Sequence, residues 1–340
     1  MAYDYGCGLS TANRRATIRD VARAAGVSPA TVSQALNGGR PVAEATRARI
    51  GEVIAQLGYR PNAFGQGLKT LRSHLVGVVL PDLSNPFYPT MVRGIQDELG
   101  ANGYHAVIVN TDGMRGQERE LVAELVHRQV DGLVLITFTL GADEIAALIS
   151  QGTPAVVVGT IEGVDHVHTS DYSAAMEMTT YLLEVGYPSV AHLAGPAGAG
   201  PASPRMAGYR AAMSRQGLGK TDQLVVHGDF TKTGGTKAML DLLGVGQTPR
   251  AVFCANDLMA LGAIEAARSY GLSVPGDLAV AGFDDIEAAS LLQPPLTTVR
   301  HPAGEIGARA AAQLIARIAG DTGPPVDIEV GFELKRRVSA

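Results

Sequence analysis

Ala16-Thr-Ile-Arg-Asp-Val-Ala-Arg-Ala-Ala-Gly-Val-Ser-Pro-Ala-Thr-Val-Ser-Gln-Ala-Leu-Asn37 reads as two short helices around a glycine turn, and the rest of the chain makes sense as what controls it. Thr17 with Asp20 three residues on is a capping-box-like start, after which Ile18, Val21, Ala22 and Ala25 recur at helical spacing on one apolar face. Gly26 supplies the turn and Val27 the contact between helices. Ser28 as N-cap and Pro29 at the first helical position open a second helix, in which Val32, Ala35 and Leu36 face inward. The opposite face, Pro29, Ala30, Ser33, Gln34 and Asn37, is small, polar and uncharged, which suits insertion into a DNA major groove. Two-helix turns also occur in plain helical bundles, so spacing alone leaves both readings open.

The length of 340 residues, 46% of them hydrophobic, is enough for a small head and a larger body of two lobes, each with its own core. Charge is divided unevenly: residues 1–73 carry a net charge of +6 and residues 74–340 a net charge of −11. That asymmetry favours a phosphate-contacting head on an acidic body kept off DNA. Cys7 and Cys254 are far apart and neither has a Cys or His neighbour at metal-ligand spacing, so no disulfide framework, zinc site or cofactor is expected. Residues 1–16 lack the apolar core of a signal peptide, and longer apolar runs are broken before membrane-spanning length. The expectation is a cytoplasmic protein, nucleoid-associated when bound to DNA, with no membrane partner. Residues 1–15 read as a disordered arm.

After Asn37, a Gly38-Gly39-Arg40-Pro41 turn leads to a third helix over Glu44–Leu57, where Ile50, Val53, Ile54 and Leu57 line one face and close a three-helix core. Gly58 ends it, and Tyr59-Arg60-Pro61-Asn62 forms an extended link to the segment 63–69. With Gly65 and Gly67 inside, each costing about 1 kcal/mol relative to alanine, that segment needs a partner to become helical. The domains are therefore a head over 16–58, a hinge over 59–73 and a body over 74–340.

Asp-Val-Ala, Ala-Gly-Val-Ser, Ala-Thr-Val-Ser, Ala-Leu-Asn, Glu-Ala-Thr-Arg and Leu-Gly-Tyr-Arg-Pro-Asn-Ala occur in this order between Ala16 and Leu68, and this stretch resembles the head of the lactose/galactose-repressor (LacI/GalR) family. The resemblance implies a homodimer that sets the second helix of each head in the major groove of a near-palindromic double-stranded operator. It also implies hinge segments that fold only on DNA and wedge a leucine into the minor groove. Carried onto this chain, it makes Pro29, Ala30 and Gln34 the base-reading positions, Thr31, Ser33 and Asn37 phosphate contacts and Leu68 the wedge. Thr17, Ser28, Tyr59, Asn62 and Lys69 complete the DNA-facing set. Pro29 and Ala30 have no side-chain hydrogen-bonding group, so Gln34, which can bond adenine bidentately, is the main direct reader.

From Leu75 onward, apolar runs alternate with amphipathic stretches, the pattern of parallel β/α units. Strands are expected at 75–80, 105–109, 132–136 and 155–158, with helices between them. A second series follows, with strands at 190–193, 224–227, 251–254 and 278–281. Residues 296–300 and the helix 306–318 look like a return to the first lobe, and 328–334 like a final strand. The lobes are thus expected at about 74–160 with 296–320, and about 161–295 with 321–340. The arrangement resembles the type I periplasmic sugar-binding fold, giving an all-α helix-turn-helix head on a two-lobed α/β body of parallel, doubly wound sheets.

Ligands in open α/β sheets sit beyond the carboxyl ends of the strands. There the chain offers Phe87 and Tyr88, to stack on a ring or to pack on the helix beneath, and Arg205, to grip paired hydroxyls or form a salt bridge. Phe230, Asn256 and Asp284 match the family's ligand positions at further strand ends. Asp257 reads as a helix cap and Asp285 as solvent-facing. The implied effector is a sugar, sugar derivative or nucleoside. An enzyme is disfavoured because 195–200 has the wrong spacing for a dinucleotide loop, and there is no phosphate-binding lysine loop and no Gly-x-Ser-x-Gly elbow. A free-standing solute-binding protein of the same fold would need an export signal and have no use for residues 16–68.

Overall fold

The computed structural model describes residues 16–37, 41–59, 72–150, 152–219, 223–244, 246 and 249–340. The arm 1–15, residues 38–40 of the expected turn, the hinge segment 63–69 and the residues Asn62, Leu68 and Lys69 lie outside the described residues, as does the side chain of Asn37. The chain divides into two compact units, residues 1–73 and 74–340.

In the first unit, α1 (Ile18–Ala25), α2 (Pro29–Asn37) and α3 (Glu44–Leu57) enclose a core of Val21, Ala22, Ala25, Val32, Ile50 and Val53. The Thr17 N–H and hydroxyl both donate to Asp20 Oδ2, at 3.0 and 2.6 Å, which anchors the start of α1. Gly26 ends α1 with φ +64°, a left-handed conformation that a side chain would strain. Ser28 Oγ accepts the Thr31 N–H at 3.1 Å and opens α2. Leu36 and Leu57 do not face inward as the spacing predicts but are 37% and 42% exposed. Each lies in the last turn of its helix.

The second unit holds two six-stranded sheets. In chain order its elements are β1 (Leu75–Leu80), α4 (Phe87–Ala101), β2 (His105–Asn110), α5 (Arg115–His127), β3 (Gly132–Leu135), α6 (Ala142–Leu148), β4 (Ala155–Val158) and β5 (Asp165–His168). The next series is α7 (Asp171–Glu184), β6 (Val190–Ala194), α8 (Ala202–Arg215), β7 (Val225–His227), α9 (Lys232–Gly244), β8 (Ala251–Cys254), α10 (Asp257–Ser269), β9 (Ala279–Asp284), α11 (Glu287–Leu291) and β10 (Thr297–Arg300). The chain ends with α12 (Ala303–Ile318), β11 (Asp327–Glu329) and β12 (Glu333–Lys335). The first sheet runs β11-β5-β4-β3-β1-β2 and the second β12-β10-β9-β8-β6-β7, all parallel except for the β10–β12 pair. Central strands such as β1 are buried on both faces, as parallel sheets covered by helices must be.

Three details differ from the pattern expected of the sequence. Residues 165–168, placed with the second lobe, form β5 of the first sheet; 297–300, placed with the first lobe, form β10 of the second; and 328–334 is two strands, β11 and β12, in different sheets. The chain therefore crosses between the lobes three times, after β5, after β10 and after β11. An ion pair explains the sorting of the C-terminal part. Arg317 of α12 donates to both oxygens of Asp165 on β5, at 2.6 and 2.8 Å, and to the carbonyls of Gly323 and Pro324. Val326 N–H and Gln313 Nε2 add to the same carboxylate. Burial alone would raise the Asp165 pKa, but these donors outweigh it and hold the carboxyl below its ordinary range. The network fixes α12 and the strand after it to the first sheet although β10 belongs to the second.

Among the described residues no helix is long and apolar enough to cross a membrane. Arg317→Met keeps the bulk of the side chain and strands a buried carboxylate, so a loss of about 3–5 kcal/mol is expected in denaturant unfolding. Parent-like stability would mean that apolar packing alone docks α12.

Candidate ligand cleft and nucleic-acid interface

On the head, Thr17, Ser28, Pro29 and Ala30 are exposed, and Thr31, Ser33 and Gln34 are half-buried. The α2 backbone turns Ala30, Ser33 and Gln34 away from the buried Val32, while Pro29, three residues before Val32, is exposed at the helix start. The Gln34 side chain makes no hydrogen bond among the described residues, so its amide retains both a donor and an acceptor. Tyr59 is half-buried against the core of the head, its N–H closing the end of α3 on the Ile54 carbonyl at 3.1 Å.

In the body, a cleft of about 440 Å³ lies at the carboxyl ends of the strands of both sheets. Phe87, Tyr88, Arg205, Phe230, Asn256 and Asp284 all line it, although they span nearly two hundred residues of sequence. At its floor Arg205 is only 3% exposed. Its Nε donates to Asp171 Oδ1 at 2.7 Å and its Nη1 to the Ala255 carbonyl at 2.6 Å, and the guanidinium lies 3.6 Å over the Phe283 ring. Asp284 Oδ1 is 3.8 Å from Nη1. These partners leave Nη2 without a protein acceptor among the described residues. Arg205 thus forms the salt bridge of one sequence reading and also lines the cleft.

Asp284 ends β9 with φ +113° and Phe230 has φ +66°, both in a region that side chains rarely adopt. Burial, opposed by Arg205 and aided by Asp171, pushes the Asp284 carboxyl up to about 7. Asn256, not Asp257, caps α10: its Oδ1 accepts the Met259 N–H at 2.9 Å, while its Nδ2 donates to the Phe230 carbonyl at 2.9 Å. Asp257 is fully buried and ties the segment after β9 to β10, accepting from the Ile286 N–H and the Thr298 hydroxyl at 2.9 and 2.6 Å. A cap reading fails there because the residue before it already supplies the acceptor. Asp285 is not solvent-facing either, since Arg337 reaches it at 2.6 Å across 52 positions of sequence.

Several cleft residues escape sequence reasoning. Asp171 opens α7 and holds Arg205. His301 stacks on Phe87 with centroids 5.0 Å apart, and burial pushes its pKa down to about 4, so the ring is neutral. Of the residues the sequence did offer, Tyr88 has a hydroxyl without a hydrogen-bond partner among the described residues, and burial raises its phenol, which stays protonated. Phe138 of the first lobe faces Phe230 of the second at 5.8 Å, and its carbonyl accepts the Gly200 N–H at 3.1 Å. The buried Glu118 carboxylate fixes that loop through the N–H groups of Phe138 and Thr139. Gly195 and Gly200 admit the rings of Phe230 and Phe138, which explains why the 195–204 loop is glycine-rich and carries few polar side chains.

A helix-turn-helix head joined to a two-lobed body with a polar, aromatic-walled cleft defines a ligand-responsive DNA-binding regulator. Residues 17–62 fit the description "Bacterial regulatory proteins, lacI family" and residues 73–336 fit "Periplasmic binding proteins and sugar binding domain of LacI family". The chain belongs to the LacI family, and it is a sequence-specific DNA-binding transcriptional regulator whose operator affinity is controlled by a small molecule. It is similar to the ribose operon repressor of Escherichia coli (strain K12), 38% identical over 313 residues that cover 90% of this chain and 94% of that protein. Among solved structures it resembles the lac repressor dimer bound to operator and the anti-inducer ONPF, with a TM-score of 0.87, 27% identity and coverage of 96% and 99% of the two chains. A LacI family transcriptional regulator from Enterococcus faecium with bound ribose overlays with a TM-score of 0.72 and 27% identity over 78% of this chain and 98% of that one.

The raised Asp284 pKa has a signed consequence for stability. Between about pH 4 and pH 7 the folded chain keeps a proton that the unfolded chain has released, so stability falls as pH rises through that window. Asp284→Asn should flatten the dependence of Tm on pH there, and an unaltered slope would assign the proton to another group.

Proposed function

We propose that the protein is a cytoplasmic homodimeric repressor of a near-palindromic operator, nucleoid-associated when bound, and that its effector is a small sugar with ribose as the first candidate. The observation that carries this reading is the convergence of strand-end residues around one buried guanidinium. In this reading the outer edge of Arg205 donates to sugar hydroxyls, Asp284 and Tyr88 exchange hydrogen bonds with others, and Phe87 supports the apolar face of the ring. Asn256 acts by holding Phe230, which with Phe138 closes the mouth. The ribose operon repressor and the ribose-bound regulator support the choice of sugar. The facing Phe138 and Phe230 rings favour a second reading, a ribonucleoside whose base lies between them. Neither reading includes a catalytic step.

On the DNA side, Gln34 reads a base, Pro29 and Ala30 shape the contact, and Thr17, Ser28, Thr31, Ser33, Asn37, Tyr59, Asn62 and Lys69 contact or position the backbone, while Leu68 wedges a central step. Effector binding changes how the two lobes close and so the operator affinity of the paired heads, a coupling between two sites through a shared body.

Calorimetric titration of the intact protein with ribose, other pentoses, a hexose, a disaccharide and a ribonucleoside tests the effector reading. Ribose should bind, and Tyr88→Phe should weaken it by about tenfold, the scale of one hydrogen bond. Binding of only the disaccharide would overturn it, and binding of only the nucleoside would select the second reading. Gln34→Ala should remove about 1–3 kcal/mol of discrimination among operator variants, and an unchanged preference in a competition assay would assign base reading elsewhere.

A further inference from the structure

The edge of the first sheet carries a cluster that neither reading uses. Asp165 on β5 faces α12 and Arg317, so strand alternation turns His166 and His168 to the opposite face. Asp327 of the neighbouring strand β11 is the register partner of His166. Its Oδ1 lies 3.3 Å from His166 Nε2 and 2.9 Å from His168 Nε2, and the three atoms lie within 4.8 Å of one another. Both imidazoles are largely buried, whereas the Asp327 side chain is 65% exposed, so the cluster opens to solvent on one side.

Protonation geometry singles out His166. Its Nδ1 is 3.0 Å from the Val164 carbonyl, which can only accept, so Nδ1 carries the hydrogen and Nε2 of the neutral ring presents a lone pair. That lone pair faces a carboxylate oxygen, an acceptor opposite an acceptor, and the arrangement calls for a positive centre between them. A ring N–H donated to a backbone carbonyl is also how metal-bound histidines are oriented. The distances suit an ion as well. With bonds of about 2.0–2.2 Å, neighbouring ligand atoms of a tetrahedral zinc site are about 3.3–3.5 Å apart, close to the His166–Asp327 separation and about half an ångström more than the His168–Asp327 one.

We propose that His166, His168 and Asp327 form a binding site for a divalent transition-metal ion of the zinc class, with water completing the shell on the exposed side. Two imidazole nitrogens and one carboxylate suit Zn²⁺ over Mg²⁺ or Ca²⁺, which prefer all-oxygen sets. The ion would bridge β5 and β11, from which two of the three lobe crossings leave, and His168 also lines the cleft. An ion here therefore stiffens one wall of the cleft at the point where the lobes connect.

The test uses the full-length chain, stripped with chelator and titrated with zinc chloride alone by calorimetry, with Co²⁺ as a spectroscopic substitute. The expected result is one ion per chain and the ligand-field absorption of a four-coordinate nitrogen and oxygen site. His166→Gln and Asp327→Asn should each lower Zn²⁺ affinity by at least about tenfold while leaving metal-free operator binding at the parental level. Absence of Zn²⁺ binding by the parent chain would overturn the proposal. Parental Zn²⁺ affinity in both variants would equally overturn it, because the ion would then be held by other histidines.

Discussion

A guanidinium almost wholly removed from water organises the body of this protein. Arg205 stays charged in that position because Asp171 supplies a carboxylate, Ala255 a carbonyl and Phe283 a π face, and each partner comes from the carboxyl end of a strand or the first turn of the next helix. Satisfying one buried cation thus brings α7, α8, β8 and β9 into register at one point. The neighbouring Asp284 is left close to the cation but unbonded to it, and burial keeps its carboxyl easily protonated. A group that can both donate and accept near neutral pH, next to a fixed donor, is well matched to hydroxyls that do the same.

The second constraint is the threefold crossing between lobes. Each sheet is completed by a strand contributed after the chain has visited the other lobe, so neither lobe is a continuous segment. The Arg317–Asp165 pair bears on the second crossing, since it holds α12 and the chain leading into β11 to β5. Three segments of backbone rather than a single linker accordingly join the lobes, and the contacts of Phe138 with Gly200 and Phe230 are where the lobes meet at the mouth. Strained backbone at Phe230 and Asp284 lies on the same rim, where the surrounding hydrogen bonds hold it.

Elements with a strong period were legible from the chain alone. The head declared its helices through Thr17, Gly26, Ser28 and Pro29, and the central strands through unbroken apolar runs. The search of strand ends, with the family resemblance, also led to six residues that line one cleft. Asp-His-Val-His at 165–168 is a different case: it has the composition of a loop, and it becomes a strand because Arg317 and Asp327 partner its polar side chains from about 150 positions or more away. Asp171, Phe138 and His301 were equally invisible, because nothing in their local sequence separates a cleft-lining residue from a cap, a loop aromatic or a packed ring.

The helix-turn-helix head, the alternation that makes a doubly wound body and the strand ends that line the cleft follow from the sequence alone, because they depend on local periodicity, capping and turn chemistry. Which lobe receives each C-terminal strand, that Asn256 and not Asp257 caps α10, that Asp285 is ion-paired, and that two histidines and an aspartate meet at a sheet edge emerge only from the folded chain. One cause underlies them all. Buried charges and polar groups must find partners, and the chain supplies those partners from positions that sequence spacing does not connect.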